Sequence, residues 1–328
     1  MTLAPGSRRA LWWWVCRVAA LAVIAVLVWR LGTGPFLDGL RAVDGGSLAA
    51  ASGLAVLTTV CCAWRWRIVA GGLGVDLPLV SAVAACYRSL FLNLTLPGGV
   101  VGDVHRGVSH GRDTRDVGRG LRAVAWERAA GQVVQAVLSV AVLLVLPSPV
   151  QDAMPLVALS LLAAAAGLVA VSPRMRRAAG RSGPRGTLAR ELRDGVLARP
   201  AWTAITLASA LVVAGHAATF LVAAHAAGVS APPSTLLPLA LLVLFAGALP
   251  NIGGWGPREG VAAWAFAAAG QGAPAGVATS VAYGVLVLVA SLPGALLLVA
   301  ACLRRRRTPP AQRRRSRTLT RWNGVADA

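Results

Sequence analysis

Two helix breaks inside apolar segments constrain the fold more than any other feature of the sequence. The first lies in Leu92–Arg106 and the second in Leu249–Gly260. Proline removes a backbone donor and glycine lowers helix propensity. At membrane depth, a broken backbone is tolerated where protein buries it or where it lines a cavity, so the chain is predicted to be built around these stretches. The breaking residues are Pro97, Gly98, Gly99 and Gly102 in the first stretch and Pro250, Gly253, Gly254 and Gly256 in the second.

The composition is that of an integral membrane protein. Of the 328 residues, 56% are hydrophobic and 13% are charged, whereas soluble domains carry about 25% charged residues. The formal net charge is +20, and all 32 basic residues are arginine. In a membrane protein such arginines mark cytoplasmic loops that face anionic lipid. The expected partner of this charge is therefore an anionic lipid surface, contacted by the arginine-rich loops and tail, rather than nucleic acid.

The apolar segments and the basic loops between them predict an all-α polytopic membrane protein. About six full spans and two re-entrant hairpins follow if the loops Val104–Arg122 and Ser172–Pro200 face the cytoplasm, as the positive-inside rule requires. Trp64–Arg67 is interpreted as an interfacial anchor at the cytoplasmic end of the second span. The predicted spans are Leu11–Leu31, Ser47–Ala63, Ala123–Leu146, Pro155–Val171, Trp202–Ala227 and Val277–Cys302, and the predicted hairpins lie in Leu79–Asp103 and Leu236–Gly270.

Each half of the chain follows the order span, span, hairpin, span, and the two halves start on opposite sides. This pattern predicts one membrane domain with an inverted-topology repeat, residues 1–150 and 151–303, and transporters of this kind bind their ligand near the midplane at broken helices. Residues 304–328 are predicted to form an arginine-rich cytoplasmic tail, with the N-terminus also cytoplasmic. The first apolar segment is interpreted as a retained signal anchor.

Arg258 and Glu259, which follow the second break, are the leading candidates for a binding site. Pro257 is favoured in a first helical turn, which would place both residues at the positive end of a half-helix dipole, where an anionic headgroup is stabilised. Charge within the membrane is costly enough to indicate function. The structural alternative is that Arg258 and Glu259 neutralise each other and hold the hairpin closed.

Five further residues near the breaks are candidate substrate contacts. Asp103 and Arg106 are the counterparts of the charged pair in the first half, and their alternative is a solvated ion pair at the cytoplasmic mouth. Asn93 and Asn251 flank the breaks, where a structural role in satisfying freed backbone groups is favoured. Glu127 is expected to face the cavity, and its neighbour in sequence points about 100° away on a helix, so the two need different partners.

No metal or cofactor site is predicted. The five cysteines lie in or beside apolar runs without metal-type spacing and are interpreted as small buried residues. His105 and His110 lie in a basic loop, while His216 and His225 face different sides of one predicted helix. No catalytic triad order is present, and residues 253–256 lack the strand and the lysine of a phosphate loop.

The residues at both breaks resemble those of a known family. Asn93–Arg106 and Pro250–Gly260, together with Glu127-Arg128, are similar to motifs of the lysylphosphatidylglycerol synthase transmembrane-region family, and they occur in the same order. That family includes the flippase half of the multiple peptide resistance factor, which moves aminoacylated phosphatidylglycerol to the outer leaflet. There a separate soluble domain attaches the amino acid. No such domain is predicted in this sequence, so the resemblance implies lipid translocation rather than lipid synthesis.

The expected function is movement of a phospholipid or lipid-linked anionic substrate between leaflets of the bacterial cytoplasmic membrane. Arg258 and Arg106 would recognise phosphate, while Glu127 and Glu259 would balance charge or bind a cationic headgroup. No enzymatic activity is expected. One alternative is a membrane-embedded glycosyl or lipid transferase that uses the same polar cavity. The other is a non-transporting membrane anchor whose arginine-rich tail is the functional part.

Overall fold

The structure, a computed structural model, describes Val18 and residues 21–179, 199–249, 251 and 255–307. This part of the chain is helical, which confirms the predicted all-α class. One short 3-10 turn, Gln151–Ala153, precedes α7. The helices are α1 Leu21–Leu31, α2 Gly34–Arg41, α3 Gly45–Gly72, α4 Leu79–Thr95, α5 Val101–Asp113, α6 Val117–Val145, α7 Met154–Ala179, α8 Arg199–Ala226, α9 Pro233–Gly247, α10 Pro257–Ala268, α11 Ala273–Ala290 and α12 Leu292–Arg307.

Four helical segments of the described residues are long and apolar enough to cross a membrane, which makes this a polytopic membrane protein. A fifth span is added if α1 and α2, which meet at 100°, form one bent crossing. The described helices therefore support four or five spans where the sequence predicted six. Part of the predicted Leu11–Leu31 span lies outside the described residues. The predicted Pro155–Val171 span lies within α7, which is 26 residues long, but the apolar stretch compared with a span there ends at Ala164. The four segments are Gly45–Gly72, Val117–Val145, Ala201–Ala226 and Ala273–Arg304.

Corresponding helices of the two halves make corresponding contacts. The first hairpin, α4 and α5, packs on α3 and α6, just as the second hairpin, α9 and α10, packs on α8 and α11. The two halves meet through α3 and α8, and each hairpin reaches the other half, α4 through α12 and α9 through α6. Both hairpins thus lie at the junction of the halves. The inverted orientation of the halves in the membrane stays a prediction.

The first hairpin turns in a short non-helical connection between α4 and α5. Gly98 and Gly99 have φ values of +99° and +67° there, a region that glycine enters without steric cost. Gly102 is different, because it lies inside the first turn of α5 and does not break the helix. A Cβ atom on Gly102 would overlap the carbonyl of Ser89 on α4. Glycine at this position therefore lets the two arms approach closely.

The predicted basic loop Val104–Arg122 is wrong, because α5 and the start of α6 occupy most of it. Gly107 and Gly111 lie on the buried face of α5, and Gly120 of α6 packs against them so closely that a Cβ atom would overlap. Small residues allow two helix backbones to approach in this way. The arginines of this stretch favoured a loop in the sequence, although its glycines allow two helices to pack closely. In Ser172–Pro200, residues 172–179 continue α7, residue 199 begins α8 and the stretch between them lies outside the described residues.

The interpretation of Trp64–Arg67 as a terminal membrane anchor is also wrong. Helix α3 continues to Gly72, and two of these four side chains point into the protein: Trp66 is 1% exposed and Arg65 is 4% exposed. Trp64 and Arg67, which flank these two residues in the sequence, are exposed. A charged side chain can be buried here because Arg65 has an ionic partner within the protein.

Candidate functional site

Glu127 lies at the centre of a buried ion-pair network. Its carboxylate accepts hydrogen bonds from Arg65 Nε of α3 and from Arg106 Nη2 of α5, each at 2.8 Å. The exposed fractions of Arg65, Arg106 and Glu127 are 4%, 3% and 1%. Arg65 also donates to the hydroxyl of Ser209 on α8 at 2.9 Å. The network thus joins four helices from both halves around one carboxylate.

Asp103 is the second carboxylate of this network. Its Oδ1 accepts hydrogen bonds from Arg106 Nη2 at 3.1 Å and from Arg128 Nη2 at 2.9 Å. The prediction that Glu127 and Arg128 need different partners agrees with this geometry. The alternative of a solvated pair at the membrane surface is wrong for Arg106, whose guanidinium also lies 4.5 Å from the centre of the Trp66 ring.

The charges of this network do not balance. Three arginines, Arg65, Arg106 and Arg128, bind two carboxylates, Asp103 and Glu127. One positive charge is therefore in excess among these five side chains. Arg128 is the most accessible of the three arginines, with 46% of its side chain exposed. A ligand in the cavity would therefore contact the positively charged network at Arg128.

The two asparagines satisfy backbone groups at the breaks. Asn93 Oδ1 accepts the N–H of Gly102 at 2.7 Å, and Asn251 Nδ2 donates to the carbonyl of Gly247 at 3.2 Å. The carbonyl of Asn251 accepts the N–H of Gly98 at 3.0 Å. Both asparagines therefore bind backbone groups near the breaks, which is the structural role predicted for them from the sequence. The bond between Gly98 and Asn251 also connects the first break directly to the second.

Arg258 and Glu259 form a buried pair in the first turn of α10, which begins at Pro257 as predicted. Arg258 Nη2 donates to Glu259 Oε1 at 2.7 Å, and Arg258 Nε donates to the hydroxyl of Ser280 on α11 at 3.1 Å. The other oxygen of Glu259 accepts the N–H of Gly256 at 2.7 Å. Glu259 is 0% exposed. Its carboxylate therefore already occupies the anion position at this helix N-terminus.

A polar cavity with two lobes lies between the ion-pair network and Arg258. The smaller lobe has a volume of about 150 Å³, and Arg106 and Glu127 line it. The larger lobe has a volume of about 250 Å³, and Asn251 and Arg258 line it. Both halves of the chain contribute to each lobe. The polar side chains shared by the two lobes are Arg128, Gln132, Gln135 and His216.

The lining of the cavity suits a negatively charged group. Arg128 and Arg258 line the larger lobe. Its other polar side chains are Asn93, Gln132, Gln135, His216, Asn251 and Tyr283. Arginine binds phosphate through two parallel hydrogen bonds, and neutral amides and hydroxyls can bind the remaining oxygens. Asp103 and Glu259 line neither lobe. They instead form ion pairs with Arg106 and Arg258, which do line the cavity.

A family model described as "Lysylphosphatidylglycerol synthase TM region" matches residues 17–294. The chain belongs to this family. The match covers both hairpins and every residue of the ion-pair network, and it confirms the resemblance that the two break motifs indicated. The protein is accordingly a membrane protein of a family related to lipid handling. A comparison with curated proteins found no match.

In this member of the lysylphosphatidylglycerol synthase transmembrane-region family, the predicted site residues fall into three groups. Arg106, Glu127, Asn93, Asn251 and Arg258 line the cavity, whereas Asp103 and Glu259 support the lining arginines. Pro97, Gly98 and Gly99 form the first break, and Gly256 precedes the first turn of α10. Pro250, Gly253 and Gly254 lie outside the described residues. Direct contact with a substrate stays a prediction for all of them.

Several lining residues were not predicted as part of the site, although the sequence contains a signal for most of them. Arg128, Gln132 and Gln135 recur at intervals of four and three residues, so they share one face of α6. Cys62 and Arg65 share a face of α3 in the same way and line the smaller lobe. When uncharged polar residues follow a charged residue at intervals of three or four in an apolar helix, they indicate the face of that helix that lines a cavity. No arginine or carboxylate marks the faces of α8 and α11 on which His216 and Tyr283 lie, so assigning these two residues to the cavity required the structure.

Proposed function

We propose that the protein is a flippase-like transporter that moves a phospholipid or lipid-linked anionic substrate between leaflets of the bacterial cytoplasmic membrane, with both termini cytoplasmic. The observation that carries the proposal is the excess positive charge of the cavity, presented by Arg128 between the two breaks. The headgroup occupies the cavity while the acyl chains stay in the lipid around the apolar helices. Membership of a lipid-handling family agrees with this function.

The position of the cavity supports transport rather than simple lipid binding. Its lining comes from both hairpins and from the paired helices α3 and α8, so movement of one half against the other would change its access. Transporters built from repeats of broken helices expose a central site alternately to the two sides in this manner. The two hairpins contact each other through the Gly98–Asn251 hydrogen bond, so a movement of one half against the other would alter this contact.

The pairing of the carboxylates argues against a transferase that would use one of them as its general acid or base. A transferase needs a general acid or base within reach of the reacting group. Within the described part of the chain, Glu127, Asp103 and Glu259 are each engaged by arginine. Turnover of a lipid-linked donor by purified protein in detergent, where no second leaflet exists, would contradict the proposal.

The proposal is tested by leaflet-resolved lipid transport in proteoliposomes. Phosphatidylglycerol with a fluorescent acyl chain is incorporated, and dithionite reduces the fluorophores of the outer leaflet. We expect wild-type protein to expose the inner-leaflet lipid and Arg128→Gln, which keeps hydrogen bonding but loses the charge, to be at least tenfold slower. Arg67→Gln is the matched control, because Arg67 is exposed on α3 and lines neither lobe. Equal rates for wild type, both variants and empty vesicles would contradict a flippase function.

A separate experiment addresses the membrane-anchor alternative. Deletion of residues 304–328 removes the arginine-rich tail, which should assist attachment to anionic lipid by about 1 kcal/mol for each arginine near the surface. We expect the truncated protein to insert and to retain lipid transport. Loss of transport in a truncated protein that inserts and accumulates normally would show that the tail has the functional role.

A further inference from the structure

His216 of α8 is a titratable residue of the cavity that has no role in the transport function proposed above. It lines both lobes of the cavity, together with Arg128. Its Nδ1 atom lies 3.2 Å from the hydroxyl of Tyr283 on α11. Histidine is the side chain that most readily gains or loses a charge near neutral pH, and ionisable residues within membranes commonly form proton pathways.

The other acidic groups around the cavity are not available for this role. Glu127, Asp103 and Glu259 are each bound by arginine, so each carboxylate already has a partner within the protein. Histidine is the residue type whose ordinary charge change falls between about pH 5 and 8, and His216 is the histidine among the described residues that line the two lobes.

The charges that face His216 come from several helices. Helix α3 contributes Arg65, α5 contributes Arg106, α6 contributes Arg128 and α10 contributes Arg258. The other titratable groups are the hydroxyl of Tyr283 on α11 and the thiols of Cys62 on α3 and Cys86 on α4. The described part of α9 lines the larger lobe with apolar residues and glycine. Glu127 also lines the smaller lobe but is neutralised by its two arginines. An imidazolium in an empty cavity would thus be repelled by the excess positive charge, and an anionic ligand would offset that repulsion.

We propose that His216 takes up a proton when an anionic headgroup binds in the cavity, so that lipid binding and proton binding are coupled. This inference rests on the proposed lipid-transport function. The proton enters the imidazole lone pair and is returned to water when the headgroup leaves, and no other bond changes. Coupling of this kind is reciprocal: the anion favours the proton, and the proton increases the affinity for the anion by the same factor.

The Tyr283 hydroxyl suits both protonation states of the imidazole. A hydroxyl can donate to an unprotonated ring nitrogen or accept from an N–H group. When it accepts from Nδ1–H, its own hydrogen is free to rotate towards an oxygen of the bound headgroup. Tyr283 lines the larger lobe, so its hydroxyl is placed to respond to the ligand. It acts as a positioning residue for His216.

The experiment is calorimetric binding of dihexanoyl phosphatidylglycerol to the detergent-solubilised full chain at pH 6 and pH 8. A phosphodiester keeps one negative charge across this range, so any pH dependence comes from the protein. We expect Kd to be about tenfold lower at pH 6, within the usual range of coupling between sites. Titrations in buffers with different ionisation enthalpies should show net proton uptake on binding.

Two variants locate the effect. His216→Gln should bind with the weaker affinity at both pH values and without proton uptake. His225→Gln should keep the pH dependence, because His225 is exposed on the same helix and lines neither lobe. Binding of wild-type protein with equal Kd at both pH values and no proton uptake would overturn the coupling while leaving the transport proposal intact. Failure to bind the lipid at either pH would contradict the proposed function and the coupling together.

Discussion

The N–H of Gly98 donates a hydrogen bond to the carbonyl oxygen of Asn251 across 3.0 Å. These residues lie in the two helix breaks, 153 positions apart in the sequence. The Asn251 side chain also lies close to Gly99, where a Cβ atom would be 3.4 Å from its amide nitrogen. The two hairpins are therefore joined at their turns, so a movement of one is transmitted to the other without an intervening helix.

Close approach of the hairpin arms gives the first prediction, Gly102→Ala. The added methyl group would overlap the backbone of Ser89, and forcing apart a close-packed contact of this kind costs about 1–3 kcal/mol. We expect less monodisperse protein and a lower melting temperature by size-exclusion fluorescence. Gly53→Ala is the control, because no atom lies within 4 Å of the Cβ position in α3. Equal melting temperatures for both variants would contradict the close packing.

The buried network gives the second prediction, Glu127→Gln. Glutamine keeps the shape and one acceptor oxygen, but it leaves the guanidinium groups of Arg65 and Arg106 without their shared charge partner. Breaking a buried ion pair from one side costs about 3–5 kcal/mol, and denaturant titration in mixed micelles should measure this loss of unfolding free energy. Arg119→Ala removes an ion pair whose partners are 44% and 41% exposed, so we expect a change below about 1 kcal/mol. A loss for Glu127→Gln as small as that for Arg119→Ala would argue against a structural network.

The sequence predicted the parts of the fold that depend on apolar length and on backbone breaks. Four spans, the turn at Pro97–Gly99 and the start of α10 at Pro257 follow from these local properties. It failed where a charged residue has a partner distant in sequence. Arg65 was assigned to the membrane surface because its carboxylate lies 62 residues away.

The same limit applies to the cavity. The sequence showed that Arg258, Glu127 and Arg106 are costly to bury, but it gave no means of deciding which pairs would form. Arg258 pairs with Glu259, its neighbour in the sequence. Arg106 instead binds carboxylates from two different helices. The excess positive charge of the five-residue network around Glu127 results from this pairing. A count of charged residues along the chain could not reveal it, because the net charge of +20 is distributed mostly over other segments.

The membrane orientation gives the third prediction. The arginine distribution predicts that both basic segments face the cytoplasm. Single cysteines introduced at Asp113 and at Ser182 in a cysteine-free background should therefore resist an impermeant thiol reagent in intact cells. Asp113 lies near the end of α5, and Ser182 lies outside the described residues. A cysteine at Pro147, after α6, is the positive control for outside labelling. Reaction of either test position in intact cells would contradict the inverted-topology repeat.

The fourth prediction concerns Arg258, which both lines the cavity and pairs with Glu259. Lysine keeps the positive charge but loses the planar fork that binds phosphate with two hydrogen bonds. We expect Arg258→Lys to fold and to keep part of the lipid translocation. Arg258→Ala should lose translocation, but it also leaves Glu259 as an unpaired buried charge, which lowers the yield of folded protein for a purely structural reason.

A double variant separates these two effects. Arg258→Ala with Glu259→Gln removes both charges, and glutamine retains an oxygen that can accept the N–H of Gly256, whose present bond is 2.7 Å. We expect the double variant to recover the melting temperature that Arg258→Ala loses, because no buried charge remains unpaired. Translocation for each folded molecule should stay at least tenfold below wild type, because no guanidinium faces the larger lobe at this position. If the double variant is well folded and translocates phosphatidylglycerol at the wild-type rate, Arg258 serves the fold alone and the headgroup is bound elsewhere.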